Sequence, residues 1–133
     1  MWLLKTEPGE YSFDDLESEG RGCWDGVRNP VALRNLRLMK KGDRVFVYHT
    51  GGEKAVVGTA EVVRDAYPDP KGKNERLVVV DVEPRGRLAR PVTLAEMKAI
   101  AELAESPLVR QGRLSVVPVT AAQWKAIEAR GRG

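Results

Sequence analysis

From Asp43 to Val63 the chain reads DRVFVYH, TGGEK, AVVGTAEVV: two runs rich in β-branched and aromatic residues, separated by five residues that include two glycines. Such runs are strand formers, and so short a connection folds the second back against the first as a hairpin. RLVVVDVEP (76–84), with Val78, Val80 and Val82 in alternation and the polar Asp81 and Glu83 near its end, predicts another strand. MWLLK at the start, stopped by Pro8, and RLSVVPV (113–119) predict two more. Five or so strands without a regular strand–helix–strand rhythm point to a small mixed α/β barrel rather than a doubly wound sheet.

Short helices fit between these strands. Ser12 and Asp15 form a weak capping box, with Tyr11 and Leu16 at the staple positions, for a helix of a turn or two ending before Gly20. Pro30 to Lys41 carries Val31, Ala32, Leu36 and Met39 at helical spacing, which places Arg34, Arg37 and Lys41 on one exposed face. Thr93 and Glu96 cap LAEMKAIAELA (94–104), expected as one helix burying Leu94, Met97, Ala101 and Ala104. Thr120 and Gln123 open a last helix with Val119 and Trp124 as staple. DAYPDPKGKNE (65–75) reads as a polar loop, and GRG at the C-terminus as a frayed end. The expectation is one domain over residues 1–133.

Composition removes several function classes. No window approaches the roughly 18 apolar residues of a membrane span, and the N-terminus lacks the features of a secretory signal, so a cytoplasmic, membrane-independent protein is expected. Cys23 and His49 are the only residues of their types, which excludes an intramolecular disulfide and the usual zinc cluster. No GxxxxGK, GxGxxG or HExxH is present, so no nucleotide cofactor or metal is expected. A Cys23–His49 catalytic dyad has no supporting signature around either residue, and the acids Asp14, Asp15, Glu17 and Glu19 suit a helix start for dipole reasons. Residues 67–133 carry 12 basic against 8 acidic side chains, and Arg28 to Arg44 has six cations opposed only by Asp43. Patches of that kind suit a polyanion, as well as an ordinary solvated surface.

GCWDGVRN (22–29) is the one segment that local structure does not explain. A tryptophan stands in a turn-rich stretch with no periodicity to bury it. Gripping a single nucleobase takes an aromatic surface for stacking, compact polar groups for the base edge and cations for the phosphates. Trp24, then Asn29, Thr6 and Ser115, then Arg28 with the Arg34, Arg37 and Lys41 face, supply all three. Asp25 and Asn29 are equally good turn formers.

Four segments in order, KTEPGEYSFDDL (5–16), GCWDGVRNPVALRNLRLMKKGDRVFVYHTG (22–51), VVGTAEVVRDAYPD (56–69) and RLSVVPVTAAQW (113–124), resemble the successive motifs of the EVE domain family. The resemblance implies an α+β, PUA-like fold: a bent, partly open mixed β-barrel of five to six strands flanked by short helices, related to YTH and ASCH domains. It also implies a monomeric, non-enzymatic reader of a modified base, foremost a modified cytosine, with DNA or RNA as partner. Carried over by position, Trp24 becomes a stacking wall and Asn29 a base-edge contact. Lys5, Thr6, Tyr48, His49 and Ser115 would line the pocket, and Arg28 and Arg113 would be its nearest cations. Cys23 has no role in the pattern, and the segment 70–76 is shorter than in longer relatives. ASCH relatives also suggest a rival, an amidohydrolase acting on a modified nucleobase or nucleoside through Lys5, Thr6 and Glu7. Side-chain alternation along a strand argues that Lys5 and Thr6 do not share a pocket. A protein-interaction module without a small ligand is a third reading.

Overall fold

The computed structural model describes residues 1–72 and 74–132. Six strands form one sheet: β1 (Trp2–Thr6), β2 (Gly22–Trp24), β3 (Arg44–His49), β4 (Ala55–Pro68), β5 (Val78–Thr93) and β6 (Val116–Pro118). Their spatial order is β2-β5-β4-β3-β1-β6, with β1 and β3 parallel and the other neighbours antiparallel. Register shifts interrupt the β3–β4 ladder between Val47 and Tyr48 and the β4–β5 ladder at four places. Each shift adds local twist and bend, and together they curl the sheet into a half-barrel.

The hairpin from Arg44 to Val63 forms as its sequence requires, but both long strands continue further than expected. β4 runs through Pro68 and β5 through Thr93, so residues 65–68, expected as loop, belong to the strand: 65 and 66 lie in a register shift, and Tyr67 pairs opposite Val79 and Pro68 opposite Val78. The cross-strand ladder supplies the order there, and Pro68, at the strand end, is where a missing N–H costs least. β2 is a strand of three residues where a loop was expected, too short to show alternation in sequence. The last strand covers only Val116–Pro118 of the predicted 113–119.

Helices α1 (Phe13–Glu19), α2 (Pro30–Leu38), α3 (Leu94–Lys98), α4 (Pro107–Arg110) and α5 (Ala121–Arg130) flank the sheet. The three capping boxes are all present, at Ser12, Thr93 and Thr120. The predicted helix over 94–104 is broken: after α3, Ile100 is extended and residues 101–103 make a single 3₁₀ turn. Met97, Ile100 and Leu103 are buried, whereas Ala101 and Ala104 are exposed. A three-residue apolar repeat drifts off one α-helical face, and breaking the helix lets all three larger side chains reach the core. α2 ends at Leu38, because Met39 turns extended and buries its side chain. Lys41 therefore lies beyond the helix rather than on its face with Arg34 and Arg37. At the C-terminus Gly131 is buried and its carbonyl accepts from Arg90 N, so the expected fraying does not extend to it; Gly133 lies outside the described residues.

The core joins both halves of the chain. Phe46 of β3 stacks on Trp124 of α5 with ring centroids 3.7 Å apart, and Asn35 of α2, itself buried, donates to Val116 O at 2.8 Å, holding α2 to β6.

Candidate functional site

Where β1 ends, the chain turns back on itself. Tyr11 N and Glu10 N both donate to Glu7 O, and the Thr6 hydroxyl donates to Tyr11 O at 2.7 Å. This turn presents Glu7, Glu10 and Tyr11 beside β1. β2 arrives next to it as an edge strand on β5, with Trp24 opposite Val80. Gly22 lets it come close, since a Cβ there would sit 2.7 Å from the Tyr11 hydroxyl and 2.8 Å from Leu16 Cδ1. Gly26, at φ 77°, then turns the chain toward Asn29. Between these pieces lies a hollow of ≈ 550 Å³ bordered by Lys5, Thr6, Glu7, Glu10, Tyr11, Trp24, Asp25, Arg28 and Ser115, among others.

Trp24 is not the exposed loop residue that its sequence neighbourhood suggests. It ends β2, is only 6% exposed, and meets Tyr11 edge-on at 5.9 Å. It forms the floor of the hollow while packing into the core. The Tyr11 hydroxyl is buried with no hydrogen-bond partner among the described residues. Burial, with the nearby Glu19 charge adding to it, pushes this phenol up to about 12. Burial also lowers the Lys5 ammonium from its ordinary value; its Nζ donates to Gly112 O at 2.8 Å and lies 5.5 Å from the centre of the Tyr48 ring.

Five of the residues assigned from the sequence to nucleic-acid binding thus border one hollow, Lys5, Thr6, Trp24, Arg28 and Ser115, together with Glu7 of the rival reading. Lys5 and Thr6 do so together, against the alternation argument, because β1 ends there and the chain turns. The Lys5 amine and the Thr6 hydroxyl each donate to a backbone carbonyl. Asn29 is the N-cap of α2, its Oδ1 accepting from Val31 N and Ala32 N, and with Arg113 it borders a separate hollow of ≈ 310 Å³. Tyr48 borders a third, of ≈ 240 Å³, shared with Lys5. His49 is internal: Phe13 N donates to its Nε2 at 3.0 Å and Nδ1 faces Glu53 Oε1 at 2.6 Å, which anchors the start of α1. Arg34 and Arg37 are exposed on α2, with Arg37 donating to Arg76 O. Cys23 pairs with the Tyr67 hydroxyl at 3.6 Å, not with His49.

The sequence reading missed Tyr11, Glu10 and Asp25. Tyr11 had a complete local explanation as a helix staple, and Asp25 one as a turn former, so nothing in the string set them apart. It also missed Lys71, Asp69 and Asn74, which border an adjoining hollow of ≈ 630 Å³ that shares Asp25, Gly26 and Arg28 with the first.

Behind the hollow a polar chain ties β2 to the sheet. The Tyr67 hydroxyl donates to Asp81 Oδ1 at 2.6 Å, and Arg21 Nη2 to Asp81 Oδ2 at 2.9 Å. Burial alone would raise the Asp81 carboxyl, but these two donors and the Arg21 and Arg64 charges hold it below its usual range. A depressed carboxylate stabilises the fold above the ordinary Asp range near pH 4 and loses that contribution as pH falls through it. Tyr67→Phe strands one buried carboxylate oxygen and is expected to cost about 1–3 kcal/mol. Urea melts at pH 7 and pH 3 would check this, with the variant losing less on acidification than the parent.

Comparison with known proteins places the whole arrangement in context. The EVE domain family model matches residues 1–130. Human thymocyte nuclear protein 1 is 31% identical over 157 residues, covering 92% of this chain and 70% of that protein. A solved Rhodopseudomonas palustris protein, 43% identical, superposes with a TM-score of 0.91 over 98% of this chain and 91% of its own. Human THYN1, solved in complex with 5-methylcytosine-containing DNA, superposes with a TM-score of 0.90 at 29% identity, over 99% of this chain and 97% of that one. An ASCH protein from Zymomonas mobilis, 14% identical at a TM-score of 0.61, shares the fold alone. This chain belongs to the EVE domain family.

Proposed function

We propose that this protein binds DNA and seats one modified cytosine, turned out of its stack, in the hollow floored by Trp24. The observation that carries this reading is the match, over nearly its full length, to human THYN1, which has been solved with 5-methylcytosine-containing DNA. The distribution of charge supports it. Among the described residues, Arg28, Lys71 and Arg113, which border the hollows, make no ion pair. Cations left free beside a concave site are available to phosphates.

Turning out a base costs a few kcal/mol, which aromatic contact of roughly 1–3 kcal/mol and a few hydrogen bonds to the walls offset. The methyl group itself contributes only about 0.8 kcal/mol when buried, so contact alone favours 5-methylcytosine over cytosine by about fourfold. Titration of labelled oligonucleotides carrying one 5-methylcytosine or one cytosine, as DNA and as RNA, tests the reading. Saturable DNA binding with a preference of that size is expected; equal affinity for the methylated and plain strands would overturn it. In the same assay Arg28→Ala should weaken every strand alike and make the slope of log affinity against log salt shallower by about 0.7 for a single strand.

A further inference from the structure

The walls of the hollow are more acidic than a phosphate site permits. Against Lys5 and Arg28 stand Glu7, Glu10 and Asp25. A phosphate seated inside the hollow would be repelled, which leaves the backbone outside to the cations on its border, but the N–H edge of a base would not be repelled. The three carboxylates are not equivalent. Glu7 is committed to its own turn, accepting from Gly9 N at 3.0 Å and from the Thr50 hydroxyl at 3.4 Å. Glu10 stands on an exposed turn at the end of a longer, freer side chain. Asp25 is exposed as well and, like Glu10, its side chain makes no hydrogen bond or ion pair among the described residues, but it is short and directly follows Trp24 at the end of a strand locked to β5. It borders both the first hollow and its neighbour. Its charge is felt at the Tyr11 hydroxyl and at the Cys23 thiol, two groups that border the same hollow.

The chemistry of the ligand gives such a group a task. 5-Methylcytosine and thymine carry the same methyl group on the same ring, so a pocket that reads shape and methyl alone cannot separate them. They differ at position 4, an amine donor in one and a carbonyl acceptor in the other, and at N3, an acceptor in 5-methylcytosine and an N–H donor in thymine, so an acceptor group selects the cytosine only when placed at position 4. An ionised carboxylate offers acceptors only. It accepts from the cytosine amine, and it faces the thymine oxygen acceptor to acceptor, desolvated and unpaired.

We propose that Asp25 is the specificity-determining residue of this site, its carboxylate accepting a hydrogen bond from the exocyclic amine of the seated base and thereby excluding thymine. This rests on the base-seating reading above. The test uses the full chain and single-stranded DNA oligonucleotides that differ only in a central 5-methylcytosine, cytosine or thymine. Wild type, Asp25→Asn and, as a charge control remote from the hollow, Glu102→Gln on the exposed 3₁₀ turn are compared, with circular dichroism to establish folding. Wild type should favour 5-methylcytosine over thymine by roughly tenfold or more. An amide can donate as well as accept, so Asp25→Asn should bring that ratio below about threefold by gaining thymine binding, while Glu102→Gln should leave it unchanged. If Asp25→Asn tightens all strands equally, its role is bulk repulsion and the proposal fails while base seating stands. If the variant keeps the full preference, the proposal fails in the same way. No saturable binding by wild type would overturn both readings.

Discussion

Trp124→Ala will remove about 3–5 kcal/mol from a fold of this size, a large fraction of a total domain stability of about 5–15 kcal/mol. The indole is 2% exposed, stacks on Phe46 at 3.7 Å and carries the Arg44 guanidinium 4.6 Å above its ring. Removing it empties the contact between α5 and β3, which no neighbouring rotamer can refill in a close-packed core. Its Nε1–H has no hydrogen-bond partner among the described residues, so Trp124→Phe should recover most of the loss, giving up ring volume but no hydrogen bond. Urea denaturation of the three proteins, read by far-UV circular dichroism, measures both steps. A loss below about 1 kcal/mol for the alanine variant would mean that the stack contributes little.

Gly58→Ala is expected to destabilise the fold for the opposite reason. A Cβ at this position in β4 would lie 2.5 to 2.8 Å from three atoms of the Phe13 ring. That ring is fully buried, and its backbone N–H is bonded to His49 Nε2, so it cannot simply swing aside. Overpacking of this kind costs typically 1–3 kcal/mol, and the register shift beside Gly58 leaves little slack to absorb it. The diagnostic result is non-additivity. Phe13→Leu should destabilise the parent yet partly rescue Gly58→Ala, because the smaller side chain vacates the space that the methyl needs. Thermal melts of the two single variants and the double variant complete the cycle. Strictly additive losses would show that the strain lies elsewhere.

The elements most legible in the sequence were those whose signals are local. The hairpin of β3 and β4, the capping boxes at Ser12, Thr93 and Thr120, and the Pro30 start of α2 rest on residue types acting within a few positions of themselves. The curled six-stranded sheet was legible at the level of fold class and through the family resemblance. The ends of elements were not. The extensions of β4 and β5 are held by each other, the break after α3 is forced by where Ile100 and Leu103 can be buried, and β2 exists only because β5 offers it an edge.

The site follows the same division. Sequence alone determined that Trp24 lacks a local role, that cations crowd the segment beginning at Arg28, and that no metal-ligating set of Cys and His can be assembled. Tertiary structure decided which residues meet: it brought Lys5, Trp24, Arg28 and Ser115 around one hollow, drew His49 inside as an anchor for α1, and committed Asn29 to capping α2. It also placed Glu10, Tyr11 and Asp25 on the walls, where the string showed only a staple and a turn. The reason is physical. Caps and turns are settled by bonds between near neighbours in the chain, whereas a pocket is defined by side chains from β1, β2 and the segment before β6, which only the long-range pairing of the sheet brings together.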